Sequence, residues 1–248
     1  MPDPRRIFGI PEIDEELYPS LSPGWLALLL GTSGSGAPLL AKQFAHAGVG
    51  HSPVLFYTTY ERTEDVAHAF DDFGWDAGAV KVVNISNEYY DRVLVRGLEV
   101  SRVRESGLRH RELAQAPVEP GRLLSFNLTN RMLADLASID TPFRLVLDSL
   151  DFFLEVLEPH EVTTVARQIR HRCQTLGGQA LLSLHSLGYE KSVTGLLQDL
   201  ADIVVQLKAE ANGSAYDHWL MIEKVRNHPN MKRVVRAEVT GSGWAVKS

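Results

Sequence analysis

The chain has 248 residues, with 25 Lys and Arg against 31 Asp and Glu for a net charge of −6, and its 44% hydrophobic and 23% charged content excludes a chain too polar to fold. That length suits one large domain or two small ones, and the acidic balance argues against bulk coating of nucleic acid. The lone Cys173 cannot close an internal disulfide, and the longest apolar run, Trp25 to Leu30, falls far short of the ~20 residues of a membrane span, so a cytoplasmic protein without a membrane partner is expected. No apolar signal core follows Arg5 and Arg6.

Residues 1–23 carry Pro2, Pro4, Pro11, Pro19 and Pro23 and read as an irregular lead-in rather than a helix, because each proline removes a donor and restrains its predecessor. WLALLL at 25–30 reads as a first strand. GTSGSGAP follows, then a helix from about Leu39 to Ala47. PVLFYTT at 53–59 is a second strand, after which Val66, Phe70 and Phe73 fall at helical spacing. Residues 79–85 form a third. Segment 92–122 breaks the rhythm with seven arginines, no lysine and four glutamates, as a helix with a following loop, an insertion over a site, or a solvated surface excursion.

Helices are expected at about 128–138 and 160–176, the second stopping at Gly177-Gly178. Strands are expected at 143–148, 179–185 and 201–207, and two or three short β runs close the chain from Trp219 onward. Apolar strands alternating with amphipathic helices indicate an α/β fold with a mostly parallel sheet, flanked by helices and extended by a β-rich C-terminal part. No internal repeat divides the sequence, so residues 1–248 are expected to form a single domain.

Gly31, Thr32, Ser33, Gly34, Ser35, Gly36, Ala37 and Pro38 stand between the first strand and a helix, where backbone N–H groups and a helix N-terminus converge on an anion. Gly31 and Gly36 have the spacing of the phosphate loop G-x-x-x-x-G-K-[ST]. Ala37, however, stands where the lysine would reach the terminal phosphates, and Pro38 where a hydroxyl would hold magnesium. Lys42 lies five residues past the missing lysine, about 7.5 Å further along a helix and on a different face, so substitution is not expected. The alternative is an ordinary Gly/Ser-rich βα turn. Zinc and nucleophile chemistries find no support: the nine histidines are scattered, and GxSxG survives only as the fragment Gly34-Ser35-Gly36.

Taken together, these segments resemble the KaiC/RadA branch of the RecA-superfamily ATPases. FGIPEIDEEL at 8–17 is similar to that branch's lead-in, GWLALLLGTSGSG at 24–36 to its first strand and Walker A loop, and VLFYTTYER at 54–62 to the next strand. FRLVLDSL at 143–150 resembles the Walker B strand, and 224–246 the closing β region. The resemblance implies a RecA-like core, ATP and Mg²⁺ as cofactors, and a homo-oligomer or a complex with a related subunit. It assigns Asp148 to the metal, Glu61 to the catalytic acidic pair, and Lys224, Arg226 and His228 to phosphate contacts in a neighbouring subunit. His185, at a strand end, holds a polar sensor's place, although a core histidine is the plainer reading.

The family's first acidic residue is replaced by Tyr60, a poor base at neutral pH. With the loop lysine and hydroxyl also gone, the chain is expected to be a catalytically weak or inactive regulatory or assembly subunit. Two alternatives stand beside it. One is an active ATPase using a non-standard cation such as Lys42. The other is a recombinase-like DNA-binding paralogue, because Lys224 to Arg236 holds five basic residues and no acid. Interleaved aromatics for stacking on single strands are absent from that run.

Overall fold

A computed structural model describes residues 6–87, 89–90, 120–185 and 188–247. Among these, nine strands form one sheet in the order β3-β2-β4-β5-β1-β6-β7-β8-β9. The strands are β1 (Trp25–Gly31), β2 (Val54–Thr58), β3 (Val80–Asn84), β4 (Arg144–Asp148), β5 (Gln179–His185), β6 (Ile203–Asn212), β7 (Ala215–Val225), β8 (Arg233–Thr240) and β9 (Gly243–Val246). From β3 through β6 all pairs are parallel, and β6 to β9 continue antiparallel. The expected α/β class with a β-rich C-terminal part is therefore observed.

The helices are α1 (Pro11–Leu17), α2 (Ala37–His46), α3 (Thr63–Asp72), α4 (Pro120–Ala137), α5 (Asp151–Val156), α6 (Pro159–Leu176) and α7 (Lys191–Leu200). Strand β1 is buried throughout, and its side chains alternate between two cores. Trp25, Ala27 and Leu29 pack on the side of Leu40 and Phe44 of α2 and Val66 and Phe70 of α3. Leu26, Leu28 and Leu30 pack on the other side, with Met132 and Leu136 of α4, Phe152 and Phe153 of α5, and Ile169 and Cys173 of α6. Strand β4 obeys the same parity: Val146 belongs to the α2 side, Leu145 and Leu147 to the opposite one. Asp148 and, by the same count on β5, Ser183 thus continue on the α2 side at the carboxyl end of the sheet.

The lead-in corrects the sequence reading. Helix α1 and a 3₁₀ turn at Tyr18–Ser20 occupy part of the stretch expected to be irregular. Pro11 causes no break because it sits in the first helical turn, where a missing N–H costs nothing. The buried Asp14 carboxylate accepts the N–H groups of Phe8 and Gly9 at 2.7 and 2.9 Å, tying the preceding chain to the helix. Arg144, buried at the start of β4, donates to the carbonyls of Ile7 and Phe44 and lies over the Phe44 ring. Burial lowers its guanidinium to about 9, with the Asp14 charge opposing the shift.

Helix α4 begins earlier than the expected 128, and its first residues are the last of the Arg-rich segment. Residues 92–119 of that segment lie outside the described residues. The short α5 and α7 were not expected at all. Helix α6 matches closely: Glu158 and Glu161 form a reciprocal capping box, and Gly177 closes it with a left-handed φ of 72°.

Candidate functional site

The parallel strands bring their carboxyl ends to one edge of the sheet, where Gly31 pairs with His185 and Thr58 with Asp148. Ligand sites of open α/β sheets form at this edge. A cavity of about 540 Å³ opens there, lined by Gly31, Thr32, Ser33, Gly34, Gly36, Ala37 and Pro38 on one wall. Seven of the eight loop residues singled out from sequence thus face it. Ser35 is the exception: its hydroxyl is buried beneath the loop, about 3.1 Å from where a Cβ on Gly31 would stand, with no hydrogen-bond partner among the described residues.

The loop turns through Gly34 and Gly36, with φ of 74° and 79°, conformations that glycine adopts without strain. The Gly36 carbonyl accepts the N–H groups of Leu39 and Leu40 at 3.1 and 3.2 Å, starting α2. Pro38, in that first turn, offers no N–H to the cradle.

Across the cavity stand Tyr60, Glu61, Asp148, Ser149, Asp151, Glu155, Ser183, His185 and Tyr189. Four are carboxylates, and no lysine or arginine is among the described lining residues. Asp148 Oδ1 accepts the Ser183 hydroxyl, and the Asp148 carbonyl accepts the Thr59 N–H at 2.8 Å. Burial holds the Asp148 carboxyl above its ordinary range, opposed by the Ser183 hydrogen bond and the Lys42 charge. Asp151 accepts the Ser149 hydroxyl at 2.6 Å and the His185 N–H at 3.1 Å. His185 faces this cavity half-buried, so the plainer reading of it as a core histidine is corrected.

Glu61 lies just before α3. Its N–H donates to Thr58 Oγ1 at 3.0 Å and its carbonyl accepts Asn84 Nδ2 at 2.6 Å. Lys42 Nζ meets the two Glu61 carboxylate oxygens at 2.9 and 2.7 Å. Tyr60 is a still poorer base than a free phenol: burial, with the charges of Asp151 and Glu155, pushes it up to about 12.

Lys224, Arg226 and His228 are not at this edge. Lys224 pairs with Val204 and Val225 with Ile203, at the amino end of β6, whereas Gly31 pairs with Leu207 nearer its carboxyl end. Lys224 Nζ donates to the carbonyls of Gln198 and Asp199, and Arg226 to those of Asp199, Leu200 and Ala201, capping α7. Arg226 also donates to Asp202 Oδ1 at 2.6 Å. His228 lines a separate polar cleft of about 450 Å³ together with Arg170, Asp202 and Arg226.

Sequence reasoning missed Asp151, Glu155, Ser183 and Tyr189, which belong to no motif, and Trp244 of β9. The Trp244 indole donates to the Gly36 carbonyl at 3.3 Å, and its backbone is clasped by Gln43 of α2. The alternation of β5 carried a signal for Ser183, since a polar residue there interrupts an otherwise apolar buried strand.

The KaiC ATPase family profile matches residues 8–248. The circadian clock oscillator protein KaiC of a Picosynechococcus species is 41% identical over 66 residues, which is 26% of this chain and 13% of that protein. KaiC 1 of a Synechocystis species is 42% identical over 65 residues, 25% of this chain and 12% of that protein. These matches span only about an eighth of the relatives' own length. A crystal structure of a KaiC-like protein from the hyperthermophilic archaeon Pyrococcus horikoshii superposes with a TM-score of 0.68, covering 97% of each chain at 20% identity, and so shares the fold. Among the described residues no helix is long and apolar enough to cross a membrane. The loop at the carboxyl edge of the sheet, the strand-end Asp148 and the profile over residues 8–248 make this chain a member of the KaiC family of RecA-like ATPases.

Proposed function

We propose that this chain is a catalytically silent KaiC-family subunit with a regulatory or assembly role, its 248 residues acting as one RecA-like unit in the cytoplasm. Family membership implies ATP and Mg²⁺, and the loop's glycine turns and helix start retain the outline of a phosphate cradle. The side chains do not fit Mg²⁺-ATP. Ala37 supplies no cation, Pro38 supplies neither hydroxyl nor N–H, and the facing wall is carboxylate-rich. Among the described residues no group of three or more His, Cys, Asp or Glu is arranged to hold a metal ion.

The observation that carries this reading is the ion pair between Lys42 and Glu61. Lys42, on the helix that follows the loop, is bound to the acid that the resemblance assigns to catalysis, so the two neutralise each other. An active ATPase with Lys42 as its loop cation is disfavoured on the same ground. Lys224, Arg226 and His228 suit an assembly face at the opposite edge of the sheet, where Lys224 and Arg226 already brace α7.

The test is ATP turnover by the purified chain beside Asp148→Ala, with the mass of the assembly measured in parallel. Equal, background-level phosphate release from both proteins and a mass above one chain are expected. Turnover that disappears with Asp148→Ala overturns the proposal.

A further inference from the structure

Lys42 follows Pro38 by four residues on α2, so the two share one face of the helix. Helical side chains lean toward the N-terminus, which carries the Lys42 ammonium back toward the loop rather than away from it. The side chain is only 4% exposed. It passes over the Phe56 ring at 6.0 Å from the centroid and ends on Glu61 at 2.7 Å. Phe56 lies on the α2 side of the sheet, as do Asp148 and Ser183 by parity. The ammonium therefore lies on the same side of the sheet as Asp148, bonded to Glu61 of the cavity wall and close enough to Asp148 for its charge to act there.

We propose that the Lys42 ammonium is the resident counter-ion of this site, standing in for the divalent cation that Pro38 can no longer hold, and that the cavity consequently works free of metal. The proposal deepens the catalytically silent reading but does not depend on the turnover result. A covalently tethered ammonium neutralises Glu61 permanently, moderates Asp148, and repels a second cation placed between them. Loss of a merely structural ion pair would free Glu61 alone, so a gain in metal affinity that depends on Asp148 separates the two roles.

The experiment is a Mn²⁺ titration followed by electron paramagnetic resonance of the free ion, using wild type, Asp148→Asn, Lys42→Met, and Lys42→Met with Asp148→Asn. Wild type is expected to take up no Mn²⁺ in an Asp148-dependent manner. Lys42→Met, which keeps the stem and removes the charge, is expected to bind Mn²⁺ about tenfold or more tightly than wild type. The added Asp148→Asn should abolish that gain. Lys42→Arg, which restores a cation, should not show it. Asp148-dependent Mn²⁺ uptake by wild type overturns the proposal, as does a folded Lys42→Met variant with no gain. If Lys42→Met does not fold, Lys42→Gln and the wild-type titration decide the matter by the same criteria.

Discussion

Trp244 lies so closely over Gly36 that a Cβ on the glycine would come within 2.5 Å of the indole Cζ2. The last strand thereby props the turn that starts α2. Gly36→Ala incurs both this overlap and a left-handed φ, and is expected to destabilise the protein by about 2–3 kcal/mol. Trp244→Ala removes a buried indole and should cost about 3–5 kcal/mol. In the Trp244→Ala background, Gly36→Ala should cost only about 1 kcal/mol, because the overlap is gone and the backbone strain remains. Urea denaturation of the four proteins measures the coupling, and strict additivity would contradict the contact.

Asp202 sits at the opposite edge between two guanidinium groups. Its Oδ1 accepts Arg170 at 2.7 Å and Arg226 at 2.6 Å, and its Oδ2 accepts the Leu26 N–H at 3.1 Å. Burial alone would raise this carboxyl, but the Arg170, Leu26 and Arg226 hydrogen bonds outweigh it and hold the group below its ordinary 3.8. Its stabilisation is therefore present above pH 3.8 and lost as the pH falls through the lower folded value. Asp202→Ala leaves two partly buried cations facing each other and should cost about 3–5 kcal/mol at neutral pH. The variant should also show a flatter stability profile than wild type below pH 4, read by thermal melts across the acid range.

The fold was legible because β1, β4 and β5 are apolar runs separated by helices, and because strand parity assigns each of their side chains to a face. The loop was legible through the spacing of Gly31 and Gly36, and Asp148 through its place at the end of an apolar strand. Other parts were hidden for physical reasons. Pro11 reads as a breaker until it is known to occupy a helix's first turn. Trp244 reaches Gly36 across 208 residues of sequence, a contact no local pattern encodes. Lys42 lies on a different face from position 37, as the helical count gives; its pairing with Glu61 is a contact across 19 residues that the count does not encode.

Cys173 sits at the heart of the core between the sheet and α6, with 0% exposure. Burial pushes its thiol well above the ordinary value, and the Asp202 charge adds to the shift. The thiolate is the reactive form, so the native protein should resist a disulfide reagent such as DTNB at pH 8. Labelling should appear only with global unfolding, at a rate that rises with urea. Rapid labelling of the folded chain would contradict this burial.

Asp14 makes the opposite contribution to Asp202 in the acid range. Burial raises its carboxyl from 3.8 to about 6, although the N–H groups of Phe8 and Gly9 oppose the shift. Between these two values the native state holds a proton that the unfolded chain has released, so stability falls as pH rises from about 4 to 6. The accumulated cost above pH 6 is about 3 kcal/mol. Asp148, also raised, acts in the same direction, so the Asp14 share is isolated by difference. Asn at position 14 cannot titrate, but it presents one acceptor where two N–H groups need one each. Asp14→Asn should therefore be less stable than wild type near pH 4 and should close or reverse that gap by pH 7. Denaturant melts of the two proteins at half-unit steps from pH 4 to 7 give the curve; a difference that stays constant across that range would mean that Asp14 ionises alike in the folded and unfolded chains.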